Sequence, residues 1–448
     1  MKNNRRDFLK KAAVASAGLA VGGSALGFSA KSYKNIIGAN DQIHVAFIGC
    51  GIRVPAYYKA VTDKKNNIHL SYICDVMKSQ REKTAKILSG KLDYKPKLEN
   101  DLRKVLADTD VDAVFNATPD HWHTPGSIMA LQAGKNVYVE KPCSHNPYEG
   151  ELLVAAQKKY GKIVQMGNQQ RSAPETIEII HDIHNGVIGT PYRAIAFYSN
   201  HRGEVPVAKK AAVPDGLDWN LFQGPAPHSE YMYDTWNYNW HWYGWKFGTA
   251  ETGNNGTHEL DIARWALQVE YPVQVMVDAY KRHFKDDGWT MYDTMDATFH
   301  FSGNKVIKWD GESRNGYKTY GTGRGTIIYG SKGSVYVDRQ GYSLFDRSGK
   351  LIRDSKSKGN ESGLALGGGG DITTAHVANF FNAIRGKEKQ RSPIDVGVKS
   401  VLLDHLANIS YRLGNKTLEI DSSNGNIFDR EAMTLWKRKY EIGWGSQT

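Results

Sequence analysis

Ile43-His44-Val45-Ala46-Phe47-Ile48-Gly49-Cys50-Gly51-Ile52-Arg53-Val54 is the segment on which the fold of this chain turns. Six mostly apolar residues of strand character run into two glycines one residue apart, and Pro55 follows where the first turn of a helix tolerates proline. A strand that ends in such a turn and opens a helix presents backbone amides to a pyrophosphate. Val54 replaces the third glycine of the usual fingerprint, and a bare Gly-x-Gly occurs in many tight turns. Asp75, at the end of the next apolar run (69–74), supplies context. A carboxylate there accepts hydrogen bonds from an adenosine ribose and repels a 2′-phosphate. The expected cofactor is NAD in preference to NADP, with Lys78 nearby softening the discrimination.

Apolar runs at 111–117, 137–139 and 163–166 alternate with helical stretches at 98–107, 124–133 and 148–160, the pattern of βαβ units in a parallel sheet covered on both faces. After about residue 167 the rhythm changes to segments of strand character at 192–199, 273–280, 294–301, 305–310, 326–329 and 334–338. Few helices separate them, and Gly330 to Gly333 reads as a hairpin turn. The expected fold class is α/β followed by α+β. An N-terminal Rossmann domain, a doubly wound parallel sheet over 42–167, precedes a mainly antiparallel, open-sheet substrate and oligomerisation domain over 168–370. A helical tail, 371–448, packs on both, with helices at 373–385 and 396–413. The Gly/Ser/Lys-rich stretch 355–370 ends in four glycines and reads as a mobile loop.

The chain has 448 residues, 40% apolar and 23% charged, which excludes intrinsic disorder and a single small binding module. Its formal charge of +11 is spread out, with no Lys/Arg run interleaved with aromatics, so no nucleic-acid partner is expected. Cys50, Cys74 and Cys143 cannot all pair and lack the close Cys/His spacing of a zinc site; they read as buried small apolar residues, and no metal is expected. Asn4-Arg5-Arg6-Asp7-Phe8-Leu9-Lys10, followed by an uncharged Ala/Gly/Val/Ser stretch to Ala30, looks like a twin-arginine export signal over 1–30 with a linker arm over 31–41. Cleavage near Ser29-Ala30-Lys31 or at Ala25-Leu26-Gly27 would leave a periplasmic protein without stable membrane insertion; a retained anchor is the alternative.

Asn116-Ala117-Thr118-Pro119-Asp120-His121-Trp122-His123 and Val139-Glu140-Lys141-Pro142 join Gly49 to Val54 to give a chain that resembles the Gfo/Idh/MocA oxidoreductases over about 42–425, with Glu-Lys-Pro the most specific mark. The segment Asn254-Asn255-Gly256-Thr257-His258-Glu259-Leu260-Asp261 is similar to that family's second catalytic segment. The resemblance implies that Gly49, Gly51, Ile52, Arg53 and Asp75, then Asn116, Thr118, Pro119, His121 and His123, and finally Glu140 and Lys141, surround NAD. It implies further that Lys141 and His258 move the proton, with Asn254 and Asp261 on the substrate side. An ammonium in a semi-closed cleft loses hydration and becomes easier to deprotonate. An imidazole can take a hydroxyl proton near neutral pH. Where many members carry Asp, this chain has Asn254, which cannot act as a base and leaves proton transfer to Lys141 and His258.

Tyr231 to Phe247 holds nine aromatic residues in seventeen. Such faces stack on the C–H surfaces of pyranose rings, and Trp240 and Tyr243 are the expected substrate contacts; a lid packed on a neighbouring subunit explains the segment as well. His201, Arg202 and Trp219 resemble further positions of an exported subgroup. The first reading is an NAD-dependent oxidoreductase acting on a hydroxyl of a sugar or glycoside, a homo-oligomer, with NAD loaded before export and tightly held. The second is a redox-neutral, NAD-dependent glycoside hydrolase or lyase, a group that typically lacks the Glu-Lys-Pro lysine. The third is a sugar-binding protein that kept the fold without chemistry.

Overall fold

The segment Ile43–Ile48 forms β1, almost wholly buried as a central parallel strand requires. It pairs in parallel with β2 (Ile68–Cys74) on one side and β4 (Ala113–Asn116) on the other. With β3 (Lys97–Glu99), β5 (Asn136–Val139) and β6 (Val164–Met166) the sheet order is β3-β2-β1-β4-β5-β6. The chain therefore leaves β1 in both directions, and a crevice opens outside the carboxyl ends of β1 and β4. The expected helix at 98–107 is shorter. Residues 97–99 pair as an edge strand, and Asp101, accepting from the amide of Arg103, caps a helix at Leu102–Ala107. The computed structural model describes residues 41–355 and 370–444; the expected export signal, nearly all of the arm and most of the 355–370 loop lie outside the described residues.

The second sheet has nine strands in the order β14-β13-β12-β11-β7-β10-β9-β8-β15. They are β7 (Pro191–Ser199), β8 (Gln274–Tyr280), β9 (Thr294–Phe301), β10 (Lys305–Glu312), β11 (Arg324–Gly330), β12 (Gly333–Asp338), β13 (Gly341–Asp346), β14 (Leu351–Asp354) and β15 (Leu418–Glu419). All pairings are antiparallel except β7 with β10, so this domain is the mainly antiparallel sheet its sequence predicts. β13, β14 and β15 are additions; β14 and β15 are the short strands at the two edges of the sheet, and β13 lies between β14 and β12. One face of β8 alternates into the core through Val275, Val277 and Ala279, while Met276 and Tyr280 stay exposed. The buried face is covered by the helices Thr257–Leu267 and Ile394–Arg412, whose Leu260, Leu403 and Leu406 share a core with Phe299 and Trp309.

The tail helices tie the two sheets together. Phe380 and Phe381, on the helix Gly370–Ile384, pack on Phe115 and Tyr138 of the parallel sheet. The helix Ile394–Arg412 contributes Ile394 and Val401 to the parallel sheet's core and Leu403 to the second. Cys50, Cys74 and Cys143 are buried and unpaired. No helix among the described residues is long and apolar enough to cross a membrane.

Candidate active site

The crevice at β1 and β4 continues toward the second sheet as a cleft of about 480 Å³. Gly49, at φ +82°, turns the chain off β1 so closely that a Cβ there would stand 2.6 Å from the Ala117 carbonyl oxygen. Gly51 faces open space, with nothing within 4 Å of a Cβ position. Asp75 pins this turn to the end of β2. Its Oδ2 accepts from the amide of Cys50 at 2.5 Å and its Oδ1 from that of Met77 at 2.7 Å, and burial pushes its carboxyl up. Gly49, Gly51, Ile52, Arg53, Asp75, Thr118 and Pro119 all line the cleft. A glycine turn with free space over it and a carboxylate at the end of the second strand are the features a dinucleotide needs, so the residues present fit NAD.

Two residues expected around the cofactor sit behind the wall instead. Asn116 donates from Nδ2 to the His123 carbonyl at 2.9 Å and accepts from Thr118 Oγ1 at 2.6 Å, so it shapes the turn after β4 without facing the cleft. His121 is fully buried, its Nε2 2.8 Å from the Phe222 carbonyl oxygen and its ring between Phe222 and Phe247. It clamps the Rossmann domain to the segments at 222 and 247 that precede the helix Thr257–Leu267. His123 does line the cleft, with ring nitrogens 2.6 Å from the Pro142 carbonyl oxygen and 2.7 Å from that of Thr118.

Glu140 and Lys141 follow β5. Glu140 Oε1 accepts from Arg53 Nε at 2.8 Å, from the Tyr57 hydroxyl at 2.5 Å and from Gln169 Nε2 at 3.0 Å. A carboxylate held by a guanidinium and two neutral donors is a fixed post, and Lys141 stands on it. The Lys141 ammonium donates to the Asn254 backbone carbonyl and lies 3.4 Å from Asn254 Oδ1. Burial lowers its pKa, against the pull of Asp120 and Glu140. Lys141 thus crosses from the parallel sheet to the segment that carries His258.

That segment contains a π-type turn, Thr252–Gly256, leading into the helix Thr257–Leu267; such turns recur at functional sites. It gathers Asn254 and Asn255 around Glu251, which accepts from both side-chain amides and pairs with Arg202 at 3.0 Å. His258 lines the cleft at 8% exposure. Burial, and then the charges of Arg339, Lys141 and Arg324, hold its imidazole well below its ordinary pKa. The expectation of an imidazole poised to titrate near neutrality therefore changes: His258 is neutral there, a hydrogen-bond partner and weak base. Asp261, expected on the substrate side, does not line the cleft. It is 1% exposed, bound by Arg171 at 2.6 and 2.9 Å and by the Ser400 hydroxyl at 2.6 Å.

The aromatic segment divides. Trp236, Tyr238, Trp240 and His241 line the cleft, with Trp240 and His241 stacked at 3.6 Å. Trp242 turns inward and stacks on Trp289 at 3.8 Å. Tyr243 is also displaced from the substrate role, its hydroxyl donating to the Pro206 carbonyl at 2.7 Å outside the cleft. Trp219 is a core residue on Phe222, Arg202 serves Glu251, and His201 is exposed.

Sequence reasoning missed several lining residues: Tyr198, Asn200, Gln169, Asn255, Arg324 and Arg339. Two of them had a signal. Arg324 and Arg339 lie equally far from the hairpin glycines Gly330 and Gly333, so counting outward from that turn brings both to the same end of the hairpin, Arg324 at the start of β11 and Arg339 in the turn after β12. The others come together through tertiary packing alone. Among the described residues no His/Cys/Asp/Glu group could hold a metal ion.

Two family models match the chain. An oxidoreductase family's NAD-binding Rossmann fold covers residues 43–168, and the same family's C-terminal alpha/beta domain covers 219–407. A glycosyl hydrolase family 109 protein of Saccharopolyspora erythraea is 27% identical over 256 residues, 51% of this chain and 55% of that protein. An alpha-N-acetylgalactosaminidase of Tannerella forsythia is 34% identical over 148 residues, 30% of this chain and 31% of that one. The chain spans about half the length of the first of these curated relatives. Among solved structures, aldose-aldose oxidoreductase of Caulobacter crescentus, complexed with glycerol, superimposes with a TM-score of 0.62 at 17% identity, over 85% of this chain and 100% of that one. Levoglucosan dehydrogenase in complex with NADH gives 0.65 at 18%, over 85% and 99%. At these identities the two structures support the fold.

Proposed function

Since the chain belongs to the Gfo/Idh/MocA oxidoreductase family, we propose that it oxidises a hydroxyl of a sugar or glycoside by hydride transfer to tightly bound NAD. The observation that carries this reading is that Lys141, from the end of β5, and His258, from the helix against the second sheet, line one cleft with the glycine turn Gly49 to Gly51 and Asp75. NAD, when bound, supplies the hydride acceptor. The residues that would hold it are the turn at Gly49 to Arg53, Asp75 at the ribose end, and Thr118 and Pro119 after β4.

The chain's own residues handle the proton. Lys141, with its pKa lowered by burial, yields a larger neutral fraction than a solvated lysine and can accept the hydroxyl proton as the C–H bond breaks. His258 stays neutral and can accept a hydrogen bond from the same hydroxyl, fixing its direction. Trp240 and Tyr238 offer aromatic surface to a pyranose. The test is to denature the purified protein, look for released NAD(H), and screen glycosides for growth of the nicotinamide absorbance. A protein with no affinity for NAD would overturn the reading.

Similarity to glycosyl hydrolase family 109 proteins favours a second reading, redox-neutral glycoside cleavage with NAD regenerated in each cycle. Release of an aglycone with no net change in nicotinamide absorbance would decide for it.

We also propose that the protein is exported folded to the periplasm by the twin-arginine route, on the strength of Arg5-Arg6 and the small-residue stretch after them. Cytoplasmic retention in cells lacking that translocase is the expected result. A homo-oligomer formed through the open sheet face is supported by exposed Tyr192, Met276 and Tyr280, and sedimentation would read it.

A further inference from the structure

Each cation on the cleft wall has a partner, except one. Arg53 pairs with Glu140 at 2.8 Å, Arg324 pairs with Glu259 at 2.8 Å, and Lys141 donates to the Asn254 carbonyl. Arg339, which also lines the cleft, has no carboxylate and no hydrogen-bond acceptor among the described residues. It follows β12. It stands with Gln340 in the turn between β12 and β13, where Asp338 pairs with Gly341, and the charge of Arg324, at the start of β11, acts on it there. A like charge nearby disfavours the charged form. Glu259 forms its ion pair with Arg324 and supports Arg339 only through its field. Burial and the neighbouring Arg324 press the Arg339 guanidinium down to about 9. A guanidinium without an ion-pair partner in a partly closed, aromatic-lined cleft is a ready partner for an anion of the ligand.

We infer that Arg339 receives an anionic group of the substrate, a carboxylate carried by the sugar, in the cleft where Lys141 and His258 meet. This rests on the reading of that cleft as the site of a sugar oxidoreductase. Arg339 belongs to the second sheet, beside Arg324 and the wall that carries His258, whereas the glycine turn that would cradle a diphosphate lies on the parallel sheet. The guanidinium's planar fork suits a carboxylate in two-point contact.

The test uses the NAD-loaded full chain and matched sugars, D-glucuronate with D-glucose and D-galacturonate with D-galactose, with tartrate as a simple carboxylate probe. Binding is read by calorimetry and turnover by nicotinamide absorbance. Each acid should bind at least about tenfold more tightly than its neutral partner. Arg339→Gln should remove about ten- to hundredfold of that affinity and erase the preference, with Arg339→Lys intermediate. Equal or tighter binding of the neutral sugars, or no binding of any carboxylate probe at millimolar concentration, overturns the assignment. Loss of NAD affinity in Arg339→Gln with acid preference intact also overturns it and gives the guanidinium to the cofactor's phosphates. Acids that bind through Arg339 without nicotinamide reduction would sink the oxidoreductase reading and keep this one. Reduction by neutral sugars with no acid preference would do the reverse.

Discussion

Replacing Lys141 by Met separates chemistry from architecture. The side chain keeps nearly its length and its apolar stem, and loses only the ammonium that donates to the Asn254 carbonyl. That loss leaves a carbonyl short of one donor, a cost of about 1–3 kcal/mol. Against it stands relief from burying a charge, since burial is the leading influence on the Lys141 pKa. The two oppose one another, so stability should change by no more than about 1–2 kcal/mol. Positioned proton transfer contributes about 10²–10⁴-fold to rate, or about 3–5 kcal/mol of barrier at 1.36 kcal/mol per tenfold. The variant should therefore melt near the parent, retain NAD(H), and lose about two to four orders of magnitude in kcat. The parent's kcat for sugar oxidation should rise with pH as Lys141 gives up its proton, at a pH below that of an ordinary lysine, and this inflection should vanish in the variant. A Lys141→Met protein that keeps kcat within threefold or so of the parent, or keeps the same inflection, would refute the assignment of the base.

Three further outcomes follow from neighbouring geometry. Asp261→Asn should destabilise the protein by about 3–5 kcal/mol, read by denaturant titration, because it leaves Arg171 uncompensated in a buried site. Although burial raises the Asp261 pKa, Arg171 and Ser400 hold it below the ordinary carboxylate range; the pair's stabilisation is therefore complete above the unfolded-state pKa of about 3.9 and disappears as pH falls through the lower folded value, a loss the variant should not show. Gly49→Ala combines a φ of +82° with a Cβ placed 2.6 Å from the Ala117 oxygen, and should cost about 1–3 kcal/mol of stability together with NAD affinity, measured by energy transfer from tryptophan to NADH. Asn254→Asp puts a charge 3.4 Å from the Lys141 ammonium and should raise its pKa, moving the oxidation profile alkaline by about one pH unit.

Some of this site is legible in the sequence for a physical reason. β1, β4 and β5 are almost wholly buried and β2 becomes so toward its end, and all four read as mainly apolar runs, so the glycine turn and Asp75 could be placed at strand ends before any coordinates. The helix of His258 gave no such handle. Residues 257–264 are all buried, so its apolar periodicity names no outer face, and whether Asp261 looked toward a sugar or toward Arg171 was decided by the packing of the helix Ile394–Arg412, whose Ser400 completes the pair. The aromatic segment failed in the same way. Trp240 and Trp242 differ by two positions, yet one lines the cleft and the other stacks on Trp289, a residue nearly fifty positions away whose location no local pattern encodes. Arg324 and Arg339 were readable from the symmetry of their hairpin.

The side chain at position 254 ties these observations together. The π-type turn brings it within 3.3 Å of Glu251, an almost wholly buried carboxylate committed to Arg202. A carboxylate at 254 would meet Glu251 as a like charge in a confined space, whereas the amide of Asn254 donates to it. The same amide turns its oxygen toward Lys141, where a neutral acceptor supports the ammonium less than an anion would. An amide in place of a carboxylate at 254 therefore keeps the lysine's pKa low and enlarges its neutral fraction. With His258 held neutral by burial and then by Arg339, Lys141 and Arg324, the proposed mechanism leaves the hydroxyl proton to Lys141. The cationic wall that enforces this arrangement is the same one that leaves Arg339 waiting for an anion.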